Sequence, residues 1–286
     1  MTDSIPRQNW LTALFVVINA LFLAKYSMRL SPLWPVAVIL YSLLLYSVIK
    51  LILPVLWLKS KTRTALAVKA GAVTGILLML AAQLYIDPLS VNVDRWSALH
   101  YPISYLLDGQ YPYSAPTHLG GRASPFPVWQ LLHIPFYLCG NVGLSFFAAL
   151  ALFIFAIRRT YSAPAAWTAL VLAAVSVTFY YEAAVRSDLL ANMLLLASAI
   201  LLVRPYLTPQ WIERHYISVC IAVGLFASTR LITLLPVILL LFPYYLRLSP
   251  RRMILSPIII RDIQNIDNRL FGNIIDNINS SLKNGI

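Results

Sequence analysis

Apolar runs long enough to cross a bilayer recur along this chain, and that recurrence leaves few folds open. A helical crossing needs roughly 18 or more mainly apolar residues, and residues 33–58, 65–86 and 163–181 each provide such a run. A transmembrane barrel would instead show short alternating segments, and none is present. Composition agrees: of 286 residues, 60% are hydrophobic and 11% charged, where a soluble domain carries about 25% charged residues. The expected fold is all-α, a multi-pass integral membrane protein with about eight transmembrane helices. The net charge of +12 fits basic residues on cytoplasmic loops and calls for no nucleic-acid partner.

The chain begins with a polar stretch and a first apolar run over 10–24, read as a retained span because no small-residue cleavage site follows it. The second run, 33–58, is interrupted by Lys50 and followed by the basic turn Lys59, Lys61, Arg63. The third, 65–86, delivers the chain to a polar loop over 87–127 that carries Asp87, Asp94, Asp108, Arg95, Arg122, His100 and His118. Long polar loops between spans are where recognition and chemistry are placed. Residues 126–139 and 144–157 flank Gly140 and Gly143; each piece is short for a crossing, so they read as one broken span or as a hairpin. Runs over 163–181, up to 203, over 216–227 and over 231–246 complete the series. With the N-terminus inside and 126–157 counted once, 12 basic residues fall inside and 6 outside, a positive-inside arrangement. Two crossings over 126–157 would worsen that bias.

The acids sharpen the picture. Asp87, Asp94, Asp108, Glu182 and Asp188, half of the ten acids, fall on the outer face in this arrangement, together with Arg122, Arg186 and Arg230. Carboxylates and guanidiniums meeting at a membrane boundary mark a candidate site. Bland roles stand beside the functional ones. Asp94 suits a helix N-cap or a partner for Arg95. Asp87 before Pro88 suits a cap or turn, and Asp108-Gly109 is a turn signature. Glu182 and Arg186 are spaced to pair on a helix, with Ser187 or Asp188 capping the next one. Arg230 suits snorkelling to the interface. Trp96, Tyr111 and Tyr113 suit an aromatic belt as well as sugar stacking. His100 and His118 lack metal-ligand spacing, so no metal site is expected, and Cys139 and Cys220 read as small apolar side chains.

Three segments in series carry a resemblance: Asp94-Arg95-Trp96, then Gly109-Gln110-Tyr111-Pro112-Tyr113, then Ser124-Pro125-Phe126-Pro127 leading into an apolar helix. The series resembles the GT-C glycosyltransferases, most strongly their mannosyltransferase-like branch, over residues 86–245. Phe126 separates prolines that are adjacent in that branch, and two spans precede the one that leads into the loop. The resemblance implies a single transmembrane domain over 1–255 and transfer of a sugar from a polyprenyl-phosphate donor to a lipid or glycan hydroxyl. It implies a bacterial inner or plasma membrane setting, with the loop on the outer face. By that likeness Asp94 is the base and Arg230 lies near the donor phosphate; Glu182, Arg186 and Asp188, placed at the outer edge facing the loop, Arg122 after the Gly120-Gly121 turn, Arg95 and Tyr113 are the further candidate substrate contacts. It fixes no cofactor and leaves a divalent cation open. Carboxylate and arginine fit that chemistry independently, as proton acceptor and phosphate clamp. The rival readings are a glycan polymerase or ligase on lipid-linked sugars, a transporter or flippase, and a non-catalytic membrane subunit.

Residues 256–286 break the pattern: six Asn lie in 261–286 against five in the preceding 260 residues. Ile263, Ile266, Leu270, Ile274, Ile278 and Leu282 recur at helical spacing. Either an amphipathic surface helix or a cut or frame-shifted end near Ser256 accounts for this.

Overall fold

The computed structural model describes residues 4–58 and 63–283; Lys59 and Lys61 of the expected basic turn lie outside the described residues. In chain order the α-helices are α1 (Ser4–Ser27), α2 (Trp34–Ser47), α3 (Arg63–Tyr85), α4 (Ser97–Leu107), α5 (Pro127–Leu138), α6 (Leu144–Thr160), α7 (Ala163–Val175), α8 (Val177–Ala184), α9 (Asp188–Val203), α10 (Pro209–Arg214), α11 (Tyr216–Ala227), α12 (Leu234–Tyr245) and α13 (Pro250–Lys283). No strand is present among the described residues, so the all-helical class holds.

Among the described residues, four helical stretches are long and apolar enough to cross a membrane: Asn9–Ser27, Trp34–Trp57, Arg63–Tyr85 and Asp188–Tyr206. The bent pair α7 and α8 makes a fifth if it counts as one span. Only 11–28% of each span is buried inside the protein, and Leu14, Ile18, Leu40, Leu43, Leu77 and Leu84 face outward. That much exposed apolar surface fits a hydrocarbon solvent. The remaining apolar runs are divided by breaks. The pieces α5 and α6 are separated at residues 139–143, where Gly140 takes φ 82° and Asn141 Oδ1 accepts from Gly143 N at 2.9 Å. The expected uninterrupted span over 163–181 instead bends by 69° at Ser176.

The chain falls into two compact units, Met1–Ile86 with Ile157–Ala184, and Asp87–Ala156 with Val185–Ile286. In the first, α2 continues through a π-helical turn, Val48–Ile52, and a 3₁₀ turn, Leu53–Trp57, that contains Pro54. Proline removes a helical donor and clashes with the preceding turn, which accounts for the change of winding. Val48, Leu53, Leu56, Ala72, Val171 and Ala174 form the core of this unit. A Cβ on Gly75 would stand 2.8 Å from Ala174 Cβ, so glycine is what lets α3 approach α7. Lys50, the charge inside the second run, donates to Asn9 Oδ1 at 2.8 Å.

The break at Ser176 is satisfied by side chains from two other helices. The Tyr41 hydroxyl donates to Val175 O at 2.8 Å and accepts from Val177 N at 2.9 Å. Ser176 Oγ donates to Asn19 Oδ1 at 2.6 Å. Backbone groups freed inside a membrane need such partners. Tyr41→Phe strips a donor and an acceptor together, each worth about 1–3 kcal/mol when left buried and unmet. Its thermal unfolding in detergent is expected several degrees below the wild type; an unchanged midpoint would contradict the role given to Tyr41.

The second unit holds the polar loop. There α4 buries Leu99, Pro102, Ile103 and Leu106, a stripe at helical spacing. The tail is one helix, α13, running through Ser256, and Gly224 of α11 packs tightly on its Ile263. Pro257 cannot donate to Met253 O, and the Tyr245 hydroxyl does so instead at 3.0 Å.

Candidate functional site

The second unit has two polar clusters joined by the segment 111–130. The first is built on Asp94, just before α4. Its carbonyl accepts from Ala98 N at 2.8 Å, which starts the helix, while its half-buried carboxylate turns away. Asp94 Oδ2 accepts from Thr117 Oγ1 at 3.2 Å, so the side chain is neither the N-cap of α4 nor the partner of Arg95 in an ion pair. Thr117 Oγ1 accepts in turn from Gly121 N at 2.9 Å, and Thr117 N donates to Gly121 O at 2.9 Å. A Cβ at Gly121 would meet Asp94 Oδ2 at 2.9 Å, so the loop backbone lies directly against the carboxylate. Ser97 Oγ and His118 Nδ1, 2.7 Å apart, fasten the same loop to the first turn of α4. Arg122, exposed, follows immediately and bridges to Pro116.

The second cluster forms around Asp188 and Arg230. Ser187 caps α9, its Oγ accepting from Leu189 N at 3.4 Å, and Asp188 opens the first turn, where a helix favours negative charge. Arg230 sits in extended backbone between α11 and α12. The hydroxyls of Thr229 and Thr233 take the Phe226 carbonyl at the end of α11, at 2.6 and 2.9 Å, which closes the helix end. Arg230 Nε and Nη2 reach Asp188 Oδ2 and Oδ1, each at 2.6 Å. The side chains are 8% and 1% exposed. Trp129 Nε1 donates to Asp188 Oδ2 at 2.6 Å, and Arg230 Nη1 to Ser124 Oγ at 3.2 Å.

These contacts link to the loop through its backbone. The Tyr113 hydroxyl and Gln130 Nε2 both donate to Pro125 O, at 3.0 and 2.9 Å, and Phe126 N donates to Thr229 O at 3.0 Å. Burial, then the neighbouring Tyr111, raises the Tyr113 phenol far above its ordinary range, so it stays a neutral donor. Of the side chains read as substrate contacts, Asp188 and Arg230 therefore meet each other, and Tyr113 braces the segment beside them.

Arg186 does not share a helix with Glu182. α8 ends at Ala184, and Arg186 takes φ 51°, the one non-glycine positive φ among the described residues, a strain of about 1–3 kcal/mol that neighbours must hold. Glu182 belongs to the first unit. Burial first, and the Arg186 charge second, hold the His100 imidazole below its ordinary value. Trp96 stacks on His100 at 4.2 Å, so one face of that indole is taken. Asp87 makes the expected turn, its Oδ1 accepting from Leu89 N at 2.9 Å, and exposed Asp108 is the C-cap residue of α4.

Several buried polar residues were not singled out from the sequence: Thr117, Trp129, Gln130, His133 and Asn192. Gln130 Oε1, His133 Nε2 and both amide atoms of Asn192 have no hydrogen-bond partner among the described residues. Their signal is spacing: Asn192 is one turn beyond Asp188, and His133 one turn beyond Trp129, each inside an apolar run. No group of three or more His, Cys, Asp or Glu suited to a metal ion occurs among the described residues, so no donor set for the divalent cation left open above is found there. Comparison with protein-family models, curated proteins and solved structures finds no match to this chain.

Proposed function

We propose that this chain is a membrane glycosyltransferase of the GT-C kind, moving a sugar from a polyprenyl-phosphate donor to an acceptor hydroxyl on the outer face. The observation that carries the reading is the half-buried Asp94 carboxylate, held by Thr117 against the Gly121 backbone in a polar segment that follows an apolar span. A general base needs such a fixed position within hydrogen-bond reach of its proton. Asp94 accepts the acceptor's proton as that oxygen bonds to the anomeric carbon. The bond from carbon to phosphate oxygen breaks on the opposite side, and the lipid phosphate leaves with its electron pair, so configuration inverts.

Arg230 plays a changed part. Two of its three nitrogens are committed to Asp188 and the third to Ser124, so it is a frame for the 124–130 segment and not the principal phosphate clamp. Arg95, Arg122 and Arg186 carry the phosphate in this reading, because guanidinium matches its oxygens and stays charged. Eight crossings follow if α5 with α6 and α7 with α8 each cross once and α1, α2, α3, α9, α11 and α12 cross singly, the N-terminus lying in the cytoplasm of a bacterial-type cell. The bent pair α7–α8 is the feature that favours a transporter instead, since broken helices line transport sites.

One assay separates the two. Membranes containing the chain receive radiolabelled polyprenyl-phosphate sugars, with host lipids and glycans as acceptors. A covalently labelled product of inverted configuration is expected; label that crosses the membrane still attached to its donor would favour transport. Gly121→Ala is expected to lower kcat by about tenfold to a hundredfold with a much smaller change in unfolding temperature, because an ångström of misplacement at a base is costly. Equal losses in kcat and stability would contradict the placement of Asp94.

A further inference from the structure

One turn beyond the Asp188–Arg230 pair, α5 and α9 carry further polar side chains inside apolar runs. Trp129, in the first turn of α5, meets Asp188, in the first turn of α9, Nε1 to Oδ2 at 2.6 Å. His133 packs edge-on to the Trp129 indole, 4.5 Å between ring centroids, and feels the charges of both Asp188 and Arg230. Gln130 neighbours His133 at i,i+3 on α5, and Asn192 follows Asp188 at i,i+4 on α9. His133 is 1% exposed, and Gln130 and Asn192 are 0% exposed.

The hydrogen bonds already made fix what remains open. His133 Nδ1 stands 2.7 Å from the Trp129 carbonyl. A carbonyl only accepts, so Nδ1 carries the proton, and Nε2 of the neutral ring is a bare acceptor. Gln130 Nε2 donates to Pro125 O at 2.9 Å, which leaves Oε1 as an acceptor. These two atoms and both amide atoms of Asn192 are buried without a hydrogen-bond partner among the described residues. Three acceptors and one NH₂ group define what can bind. An anion finds too few donors. A cation finds no free carboxylate, because Asp188 is taken by Arg230. Buried polar groups need partners, and water both donates and accepts.

We propose that ordered water binds between the second turns of α5 and α9. Two molecules complete the set: three of their four hydrogens go to His133 Nε2, Gln130 Oε1 and Asn192 Oδ1, the fourth joins the two molecules, and Asn192 Nδ2 donates to them. Each molecule then makes about three hydrogen bonds, the usual number for buried water. None is left over to hydrate the ion pair. Water joins the second turns of α5 and α9 as Asp188 and Trp129 join the first. The site is separate from Asp94 and does not depend on the sugar-transfer reading.

The test is X-ray radiolysis of the full chain in detergent, with the oxidation of each side chain read by mass spectrometry. The radicals form from water, so a buried side chain is oxidised where ordered water touches it and spared where none does. His133 is expected to be oxidised at least about tenfold faster than Phe146, an equally buried ring of the same unit. Asn192→Leu, which removes the amide and fills its space, is expected to cut the His133 rate about tenfold. Phe146 still spared in the variant shows that the fold is kept, and the wild-type comparison stands without the variant. Oxidation of wild-type His133 no faster than Phe146, or an unchanged His133 rate in folded Asn192→Leu, would overturn the proposal.

Discussion

Asp188→Ala is expected to destabilise the protein by about 3–5 kcal/mol, the penalty for leaving one charge of a buried pair uncompensated. The carboxylate receives both forks of Arg230 and the Trp129 indole N–H, all at 2.6 Å, and is 1% exposed. Its removal strands a guanidinium and an indole donor in an interior with little water to replace it. Because α5, α9 and the 228–230 break all meet there, the loss extends beyond one contact. Arg230→Lys is expected to rescue little, since an ammonium cannot hold both carboxylate oxygens and Ser124 in one plane. The paired change Asp188→Leu with Arg230→Met is expected to cost much less than the sum of the single changes, as apolar replacement of a buried pair is often close to neutral. Unfolding midpoints in detergent measure Asp188→Ala, Arg230→Lys, the double variant and its two component singles, Asp188→Leu and Arg230→Met. A single-variant cost under about 1 kcal/mol, or simple additivity in the double, would contradict a closed, interdependent pair.

The second large effect is catalytic. Asp94→Asn is expected to lower the transfer rate by about 10²–10⁴, the usual contribution of a general base, with only a small change in stability. The reason for the small change is in the contact itself: the asparagine carbonyl oxygen still accepts from Thr117 Oγ1, so the loop clasp survives while the proton acceptor is lost. KM for the donor is expected to move little, because Asp94 has no part in holding the phosphate. Asp188→Ala differs in kind, since it lowers the folded fraction and takes activity with it.

Much of this architecture was legible in the chain. Mainly apolar runs at 33–58 and 65–86 became helical stretches long and apolar enough to cross a membrane, because length and hydropathy alone decide that outcome. Gly140 and Gly143 announced the break between α5 and α6 by their backbone freedom. Ser176 announced nothing. The one proline of its apolar stretch, Pro164, lies twelve residues before it in the first turn of α7, and the bend depends on Asn19 and Tyr41, residues 157 and 135 positions earlier. No local pattern carries a long-range partner of that kind. The site shows the same division. Asp94, Asp188 and Arg230 stand out as rare charges in an apolar chain, but that Asp188 and Arg230 close on one another is a tertiary fact. Thr117 and Trp129 were invisible for the same reason: threonine in a loop and tryptophan in a helix have ordinary explanations until a carboxylate is found against them.

The most direct test is the single-turnover transfer rate from a panel of polyprenyl-phosphate sugars, measured for the wild type and Asp94→Asn in matched, folded preparations. The account predicts measurable transfer by the wild type and a rate at least about a hundredfold lower in the variant, at nearly equal unfolding temperature. Transfer that survives in Asp94→Asn would remove the base from that position and favour an arginine-dependent polymerase, and no transfer from any donor would contradict the assignment of the chain as a glycosyltransferase.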